Sequence, residues 1–194
     1  MAERFVYLAR HGETDWNVEQ RWQGHTDIAL NSTGHAQARD LAAAMASVPL
    51  AGIVASDLAR ARETARIVAE RFGLTVAYTD IDLRERAFGV FEGLTRDQCI
   101  TRHPDAWRAW VEEQRAPHGG EVSHAVAIRM VRAIARAASH FAGDGPILLV
   151  THGSALRAAV HTFGPLPPPV ANGGVWRLGW AGRITSAEAF VRGG

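Results

Sequence analysis

The chain has 194 residues, 47% of them hydrophobic, and a formal net charge of +1 at pH 7. This length and apolar content suit one well-buried domain, and the balanced charge excludes a broad field for nucleic acid or a membrane surface. All 21 basic residues are arginine, which excludes enzymes that need a lysine, such as Walker A nucleotidases and Schiff-base enzymes. The single cysteine, Cys99, cannot form a disulfide framework within the chain. The sequence has no run of about 20 apolar residues, as a membrane span needs, and no signal-peptide pattern, so we expect a cytoplasmic protein.

The first predicted element is a buried strand that ends in residues suited to an anion. Residues 5–9 are apolar and rich in β-formers, and Arg10, His11 and Gly12 follow directly. An open α/β sheet binds its ligand beyond the carboxyl ends of its strands. Because arginine, imidazole and a flexible backbone together suit a phosphate dianion, we expect the ligand site here.

Strands and helices then alternate along the chain, as hydrophobic periodicity and capping signals indicate. Poor periodicity over residues 82–93 indicates a loop, and the segment of about 83–120 is predicted to be an insertion or lid. Residues 175–190 resemble a closing hairpin at a sheet edge. The predicted helices span residues 36–45 with Thr33 as the N-cap, 58–72, 95–102 and 122–141, and a further helix begins at residue 104. The predicted strands span residues 52–55, 74–78 and 147–150.

A second strand with the same ending lies near the carboxyl end of the chain. Residues 147–150 are apolar, and His152 and Gly153 follow before a helical stretch. Either histidine alone is adequately explained as a turn-capping residue. Two in matching contexts point to a site, because parallel neighbouring strands would direct both imidazoles into one crevice.

This alternation predicts the fold class. We expect an α/β three-layer sandwich with a mostly parallel central sheet, helices on both faces and a short lid insertion. The predicted organisation is a single domain over residues 1–194, with the lid at about 83–120.

Two further charged residues are placed to serve this site. Arg60 lies in the first turns of the helix after the second strand, where it can lean toward an anion. Glu85 lies between Arg84 and Arg86, which by itself indicates a surface salt bridge. Because it follows a strand end, it could instead fold over the crevice and protonate a leaving alkoxide.

Other reaction classes lack the residues that they need. A cysteine phosphatase based on Cys99 would need arginine at position 105, which is aspartate. The pair Asp80 and Asp82 is followed by Arg84 where an aspartyl phosphatase needs threonine or valine. The nine histidines form no metal-binding spacing such as His-Glu-x-x-His, so we predict no metal site.

These motifs resemble those of the histidine phosphatase superfamily, also called the phosphoglycerate mutase-like family. The resemblance covers nearly the whole chain. One such motif would be a weak indication of the family, but several motifs in the family's order are a specific one. In order they are Arg10-His11-Gly12-Glu13-Thr14 with Asn17, Arg21-Trp22-Gln23-Gly24, Ser56-x-Leu58-x-Arg60, Leu83-Arg84-Glu85 and Thr151-His152-Gly153.

The resemblance implies a role for each matching residue. His11 would accept the phosphoryl group, and Glu85 would act first as general acid and then as base for water. Arg10, Arg60 and His152 would bind and neutralise the phosphoryl oxygens. The phosphate and substrate side would be lined by Asn17, Gln23, Gly24 and Gly153. The expected partner is a small phosphate ester, with no metal, other cofactor, nucleic acid or membrane, and a homodimer is left open.

The sequence favours a hydrolase over a mutase. Mutases of the family carry Glu-Arg-His-Tyr-Gly at the acid position, a lysine soon after and a longer insertion, whereas Glu85 is followed here by Arg-Ala-Phe-Gly. Residues 117–121 resemble the Pro-x-Gly-Gly-Glu-Ser stretch of small broad-specificity and α-ribazole phosphatases, although Val122 replaces the serine. The alternatives are a cofactor-dependent phosphoglycerate mutase and a non-catalytic, phosphate-binding regulatory protein.

Overall fold

The computed structural model describes residues 4–141, 143–191 and 193. Its strands are β1 (Arg4–Arg10), β2 (Gly52–Ala55), β3 (Val76–Thr79), β4 (Ile147–Thr151), β5 (Val175–Trp180) and β6 (Ile184–Val191). Its α-helices are α1 (Asp15–Val18), α2 (Ser32–Ala44), α3 (Ala59–Arg71), α4 (Arg96–Arg102), α5 (Pro104–Glu113), α6 (Ser123–His140) and α7 (Gly153–His161). Short 3₁₀ turns cover Ile81–Leu83 and Gly89–Phe91.

The six strands form one sheet in the order β3-β2-β4-β1-β5-β6. Strands β3, β2, β4 and β1 pair in parallel, whereas β5 is antiparallel to β1 and β6 to β5. The predicted α/β class, the mostly parallel sheet and the antiparallel closing hairpin are therefore confirmed.

Both faces of the sheet are covered because its central strands are apolar on both sides. Along β1, Val6 and Leu8 pack with α6 and α7, and Tyr7 and Ala9 pack with α2 and α3. This alternation follows from the two-residue period of a strand. The helices thus form the two outer layers of a three-layer sandwich.

Strand pairing brings the two His-Gly turns together. Strands β1 and β4 are parallel neighbours, and Arg10 pairs in register with Thr151. His11 and His152 are the next residues of their strands, so they leave the sheet at the same edge. The predicted juxtaposition of the two histidines is therefore confirmed.

The start of α2 corrects one prediction. The N-cap is Asn31, not Thr33, and its Oδ1 accepts a hydrogen bond from the backbone N–H of Gly34 at 2.8 Å. Asn31 also donates from its backbone N–H and its Nδ2 to Glu13, each at 3.0 Å. A contact with a distant segment therefore selects between two suitable capping residues.

Residues 83–120 form a small apolar cluster beside the sheet. Phe88, Phe91 and Cys99 are buried there, with Trp22 and Trp110 among the half-buried side chains against them. Helix α4 begins with the predicted Thr95 cap, whose side chain accepts from the N–H of Gln98.

In the described ranges, no helix is both long and apolar enough to span a bilayer.

Candidate active site

The turn after β1 is held from both sides. The N–H of His11 donates to the carbonyl of Thr151 at 3.0 Å, and Asn172 Nδ2 donates to the carbonyl of His11 at 3.0 Å. Gly12 lies so close to the next segment that a Cβ would come 2.3 Å from the carbonyl oxygen of Gly34. Only glycine fits this position, and the turn holds the imidazole of His11 in one place.

The hydrogen bond of His11 determines which ring nitrogen is available. Nδ1 lies 2.6 Å from the carbonyl oxygen of Gly12, which can only accept, so we assign the proton of the neutral ring to Nδ1. Nε2 then carries the lone pair. Burial, followed by the charges of Arg60 and Arg10, holds the pKa of His11 well below its ordinary value of 6.5, which keeps the imidazole neutral and nucleophilic.

His152 lies beside His11 but is bonded at both ring nitrogens. The two ring centroids are 5.0 Å apart. Nδ1 of His152 accepts from Arg60 Nε at 3.2 Å, and Nε2 lies 2.9 Å from the hydroxyl of Ser56. Burial and then the Arg60 charge hold the pKa of His152 well below its ordinary value, so the unliganded site takes its positive charge from arginine.

Arg60 is fully buried at the start of α3 and is oriented by three acceptors. Besides His152, its guanidinium donates to the carbonyls of Thr26 and Gly24, each at 2.8 Å. Burial lowers the pKa of Arg60 to about 10, although the Glu85 carboxylate opposes the shift, so the group stays charged at neutral pH. These bonds use three of its five N–H donors, and Arg60 is one of the residues that line the cavity.

Gly24 belongs to the loop whose carbonyls orient Arg60. It adopts a left-handed φ of +52°, and a Cβ there would come 2.0 Å from the carboxylate of Glu92. Glu92 in turn accepts from the backbone N–H groups of His25 and Thr26, each at 3.1 Å. This loop therefore holds the two carbonyls that orient Arg60.

Arg10 supplies the second cation of the site and is half-buried. Its Nη1 donates to the carbonyl of Val170 at 2.6 Å, whereas its buried Nε has no hydrogen-bond partner among the described residues. Burial lowers the pKa of Arg10 against the opposing effect of Glu85. An unsatisfied N–H donor beside His11 indicates a place for an anionic ligand.

Glu85 lies at the amino end of α7. Its Oε1 accepts from the N–H groups of Ala155 at 2.9 Å and Arg86 at 2.8 Å, and its Oε2 accepts from Ser154 at 3.1 Å. The residue is only 9% exposed, yet it lines the cavity that contains His11. The helix terminus thus holds a carboxyl group at the site.

Arg129 fixes the backbone of this segment from α6. Its guanidinium donates to the carbonyls of Asp82 at 2.9 Å, Arg84 at 2.6 Å and Glu85 at 2.8 Å. Its charge is balanced by Glu121, with both carboxylate oxygens within 2.9 Å. Sequence analysis did not identify Arg129 as part of the site, because only the fold brings α6 behind Glu85.

We predict that Arg129→Lys slows the reaction by displacing Glu85. A lysine keeps the charge for Glu121 but loses the planar set of donors that holds three carbonyls. We expect kcat to fall on the order of tenfold to a hundredfold for alkyl phosphates, which need a proton donor, and much less for dinitrophenyl phosphate. Arg132→Lys, at an exposed position on the same helix, is the control. Equal losses on both esters would contradict a positioning role.

The two buried histidines also predict how stability depends on pH. The pKa of each histidine is lower in the folded chain than its ordinary value of 6.5 in the unfolded chain. At a pH between the folded and the unfolded pKa, the unfolded chain therefore binds more protons, and the free energy of unfolding falls as the pH drops. Each contributes a slope of up to about 1.4 kcal/mol per pH unit. Chemical denaturation from neutral to mildly acidic pH should give a shallower slope for His152→Asn than for the exposed control His161→Asn. Identical slopes would contradict neutral burial of His152.

The cavity at this edge of the sheet has a volume of about 280 Å³, and most of the predicted residues line it. The predicted residues in its wall are Arg10, His11, Asn17, Gln23, Arg60, Glu85 and Gly153. Within the described ranges, His152 and Gly24 lie behind this wall. Gln23 is 7% exposed, and its Oε1 has no partner among the described atoms, so it is available to a ligand.

Several lining residues were not identified from the sequence. They are Gln20, Ser154, Arg157, Pro169 and Val170, whereas Arg21 and Trp22 of the family motif and Phe88 of the predicted lid also line the cavity. Arg157 follows Gly153 by one helical turn, a spacing that could have indicated a shared face. The described part of the chain has no group of three or more His, Cys, Asp or Glu side chains arranged to hold a metal ion.

Comparisons with known proteins agree with this geometry. The sequence model of the histidine phosphatase superfamily (branch 1) matches residues 6–181. A glucosyl-3-phosphoglycerate phosphatase of Mycobacterium tuberculosis is 38% identical over 192 residues, which cover 93% of this chain and 85% of that protein. A protein named probable phosphoglycerate mutase GpmB, from Enterobacter, is 39% identical over 166 residues, which cover 84% of this chain and 75% of that protein.

A solved structure shows that the likeness extends to the fold. An α-ribazole phosphatase from Shigella flexneri has a TM-score of 0.81 against this chain at 28% identity. The match covers 98% of this chain and 96% of that one. The relatives therefore carry both phosphatase and mutase names, and the chemistry of the site must distinguish between the two.

Proposed function

Since the chain belongs to the histidine phosphatase superfamily, we propose that it hydrolyses a small phosphomonoester through a phosphohistidine formed on His11. The family membership and the relatives named as phosphatases make this chain an enzyme that hydrolyses phosphate esters. The residue roles that follow are our proposal. It is supported chiefly by the neutral, buried His11, with Nε2 unprotonated, beside the half-buried Arg10 and the fully buried Arg60.

In the first step, Nε2 of His11 attacks phosphorus and the bond to the ester oxygen breaks. Arg10 and Arg60 bind the equatorial oxygens and stabilise their charge, which is most of what phosphoryl transfer requires. Protonated Glu85 gives its proton to the leaving alkoxide and becomes a carboxylate. The alcohol departs and phosphohistidine remains.

In the second step, water attacks the phosphohistidine. The Glu85 carboxylate takes a proton from this water as the new P–O bond forms, and the P–N bond breaks with its electron pair returning to Nε2. Inorganic phosphate then leaves a neutral His11 and a protonated Glu85. Both protein groups are restored without a metal or other cofactor.

We assign the surrounding residues to binding. Asn17, Gln23 and Gly153 would contact the phosphate or the alcohol part, and Gly24 would act through Arg60. The segment 83–120 would form a lid of a single domain, because Trp22 and Phe88 from its apolar cluster reach the cavity wall. The predicted cytoplasmic location and the absence of nucleic-acid and membrane partners belong to the same proposal.

A phosphoglycerate mutase is the second candidate, since one of the compared relatives carries that name. A mutase returns the phosphoryl group to an acceptor hydroxyl instead of to water. It must therefore hold a bisphosphate with more cations than hydrolysis needs. The lid of this chain contains no lysine, which favours water as the acceptor.

The experiment measures phosphate release from a panel of phosphomonoesters in excess chelator. It includes 3-phosphoglycerate with catalytic bisphosphoglycerate, assayed in parallel for 2-phosphoglycerate. We expect release of inorganic phosphate that the chelator does not affect. Formation of 2-phosphoglycerate without phosphate release would make the enzyme a mutase, and tight phosphate binding without turnover on any ester would make it a binding protein.

A further inference from the structure

Thr64 is a fully buried residue of α3 that has no part in the reaction steps above. It lies four residues after Arg60, so the two side chains occupy the same face of the helix. That face meets the turn after β1, because the Thr64 hydroxyl contacts the backbone of Gly12. Thr64 therefore connects the turn that carries the nucleophile with the helix that carries Arg60.

The hydroxyl of Thr64 makes two hydrogen bonds whose directions are fixed. Its O–H donates to the carbonyl of Arg60 at 2.8 Å, and its Oγ1 accepts from the backbone N–H of Gly12 at 3.1 Å. The directions cannot be exchanged, because a carbonyl only accepts and an amide N–H only donates. Donation to the carbonyl one helical turn earlier thus directs a lone pair of Thr64 toward Gly12.

The peptide group between His11 and Gly12 is held at both ends. Its carbonyl oxygen accepts from Asn172 Nδ2 at 3.0 Å, and its N–H donates to Thr64. These two bonds fix the plane of the peptide and the direction in which the chain continues. The next carbonyl along the chain, that of Gly12, lies 2.6 Å from Nδ1 of His11 and binds the ring proton.

Loss of the Thr64 hydroxyl would release this arrangement. Glycine restricts its own φ and ψ little, so hydrogen bonds set the direction of the Gly12 carbonyl. An unpaired, buried N–H is costly, and the peptide would rotate toward another acceptor. Rotation moves the Gly12 carbonyl away from Nδ1 of His11, which frees the ring proton to occupy Nε2. An imidazole protonated at Nε2 has no lone pair there with which to attack phosphorus.

We propose that Thr64 is a positioning residue for the nucleophile, which keeps His11 in its reactive tautomer through Gly12. The inference rests on the proposed function, because it takes His11 as the acceptor of the phosphoryl group. Within the described ranges Thr64 lies outside the cavity wall, and the side chains of Arg10 and Arg60 have acceptors of their own. The effect of Thr64 should therefore fall on the chemical step and not on phosphate binding.

Thr64→Val removes the hydroxyl and keeps the shape of the side chain. We expect kcat to fall about tenfold to a hundredfold on alkyl phosphates and on dinitrophenyl phosphate alike, because attack by His11 precedes departure of either alcohol. The inhibition constant of inorganic phosphate should not change. Thr101→Val is the matched control, since the exposed Thr101 hydroxyl makes the same bond to the carbonyl four residues earlier, that of Asp97, at 2.9 Å.

Thr64→Ser and Thr64→Ala give a second comparison, in which the two variants differ by one oxygen atom. This pair tests the inference even if valine prevents folding. We expect serine to restore most of kcat and alanine to resemble valine. Equal losses in serine and alanine would show that Thr64 only packs α3. A weaker inhibition by phosphate in proportion to the loss of kcat would show that it only supports Arg60. Either result would overturn the inference.

The tautomer can be observed by NMR of protein labelled with ¹⁵N-histidine, with the His11 signals assigned by their absence in His11→Ala. In the wild type, Nδ1 of His11 should give the shift of a protonated ring nitrogen and Nε2 that of an unprotonated one. We expect Thr64→Val and Thr64→Ala to transfer part of the population to the other tautomer. An unchanged tautomer in both would overturn this inference alone. Hydrolysis of no ester by the wild type would instead overturn the proposed function.

Discussion

His11→Ala should abolish turnover, with kcat reduced by at least about 10⁴-fold, because no other group can accept the phosphoryl group. The neutral imidazole presents Nε2 to the cavity only because Nδ1 is bonded to the carbonyl of Gly12. Alanine removes the nucleophile but leaves Arg10 and Arg60 in place. The variant should therefore still bind inorganic phosphate.

The same variant tests the intermediate directly. After rapid acid quench during turnover of a ³²P-labelled ester, the wild-type chain should carry label with the acid-labile, base-stable behaviour of phosphohistidine. His11→Ala should carry none, and the exposed-residue control His161→Ala should be labelled as the wild type is. Retained turnover in a correctly folded His11→Ala would refute the mechanism.

Glu85→Gln should lower kcat/KM by about 10² to 10⁴-fold for alkyl phosphates, the usual contribution of a general acid. The loss should be far smaller for dinitrophenyl phosphate, whose leaving group needs no proton. Because kcat/KM reports steps up to the first irreversible one, the slower attack of water does not obscure the comparison.

The surroundings of Glu85 require a control for stability. Its two oxygens accept from three backbone N–H groups, and an amide would direct N–H donors against at least one of them. Leaving a buried donor unpaired costs about 1–3 kcal/mol, so the unfolding free energy must be measured alongside. Glu113→Gln, at an exposed position of α5, is a matched control. Equal losses on both classes of ester would indicate that Glu85 is structural and not a proton donor.

The predictions from sequence were most accurate where a local pattern encodes the result. Apolar runs located the strands, and the residues after β1 and β4 identified His11 and His152. For Glu85 the residues alone left a surface salt bridge and a proton donor open, and the family resemblance favoured the proton donor. The predicted family is confirmed by the comparisons.

Other features depend on contacts between distant segments. Glu13 selects Asn31 as the cap of α2, and Glu92 shapes the loop whose carbonyls orient Arg60. The position of Arg157 in the cavity wall and the burial of Arg129 behind Glu85 are of the same kind. No local pattern distinguishes these two arginines from the solvent-facing ones of α3.

The sequence by itself determined the order of the elements, the two His-Gly strand ends and the reaction class. The first two follow from periodicity and side-chain chemistry, which are properties of short segments, and the reaction class follows from the resemblance of the motifs to those of the family. Only the tertiary structure decided the protonated nitrogen of His11, the charge state of His152 and the position of Arg129 behind Glu85. Each of these depends on burial and on partners more than 40 residues away or on the fixed geometry of a turn, because electrostatic energies are set by distance and by exclusion of water.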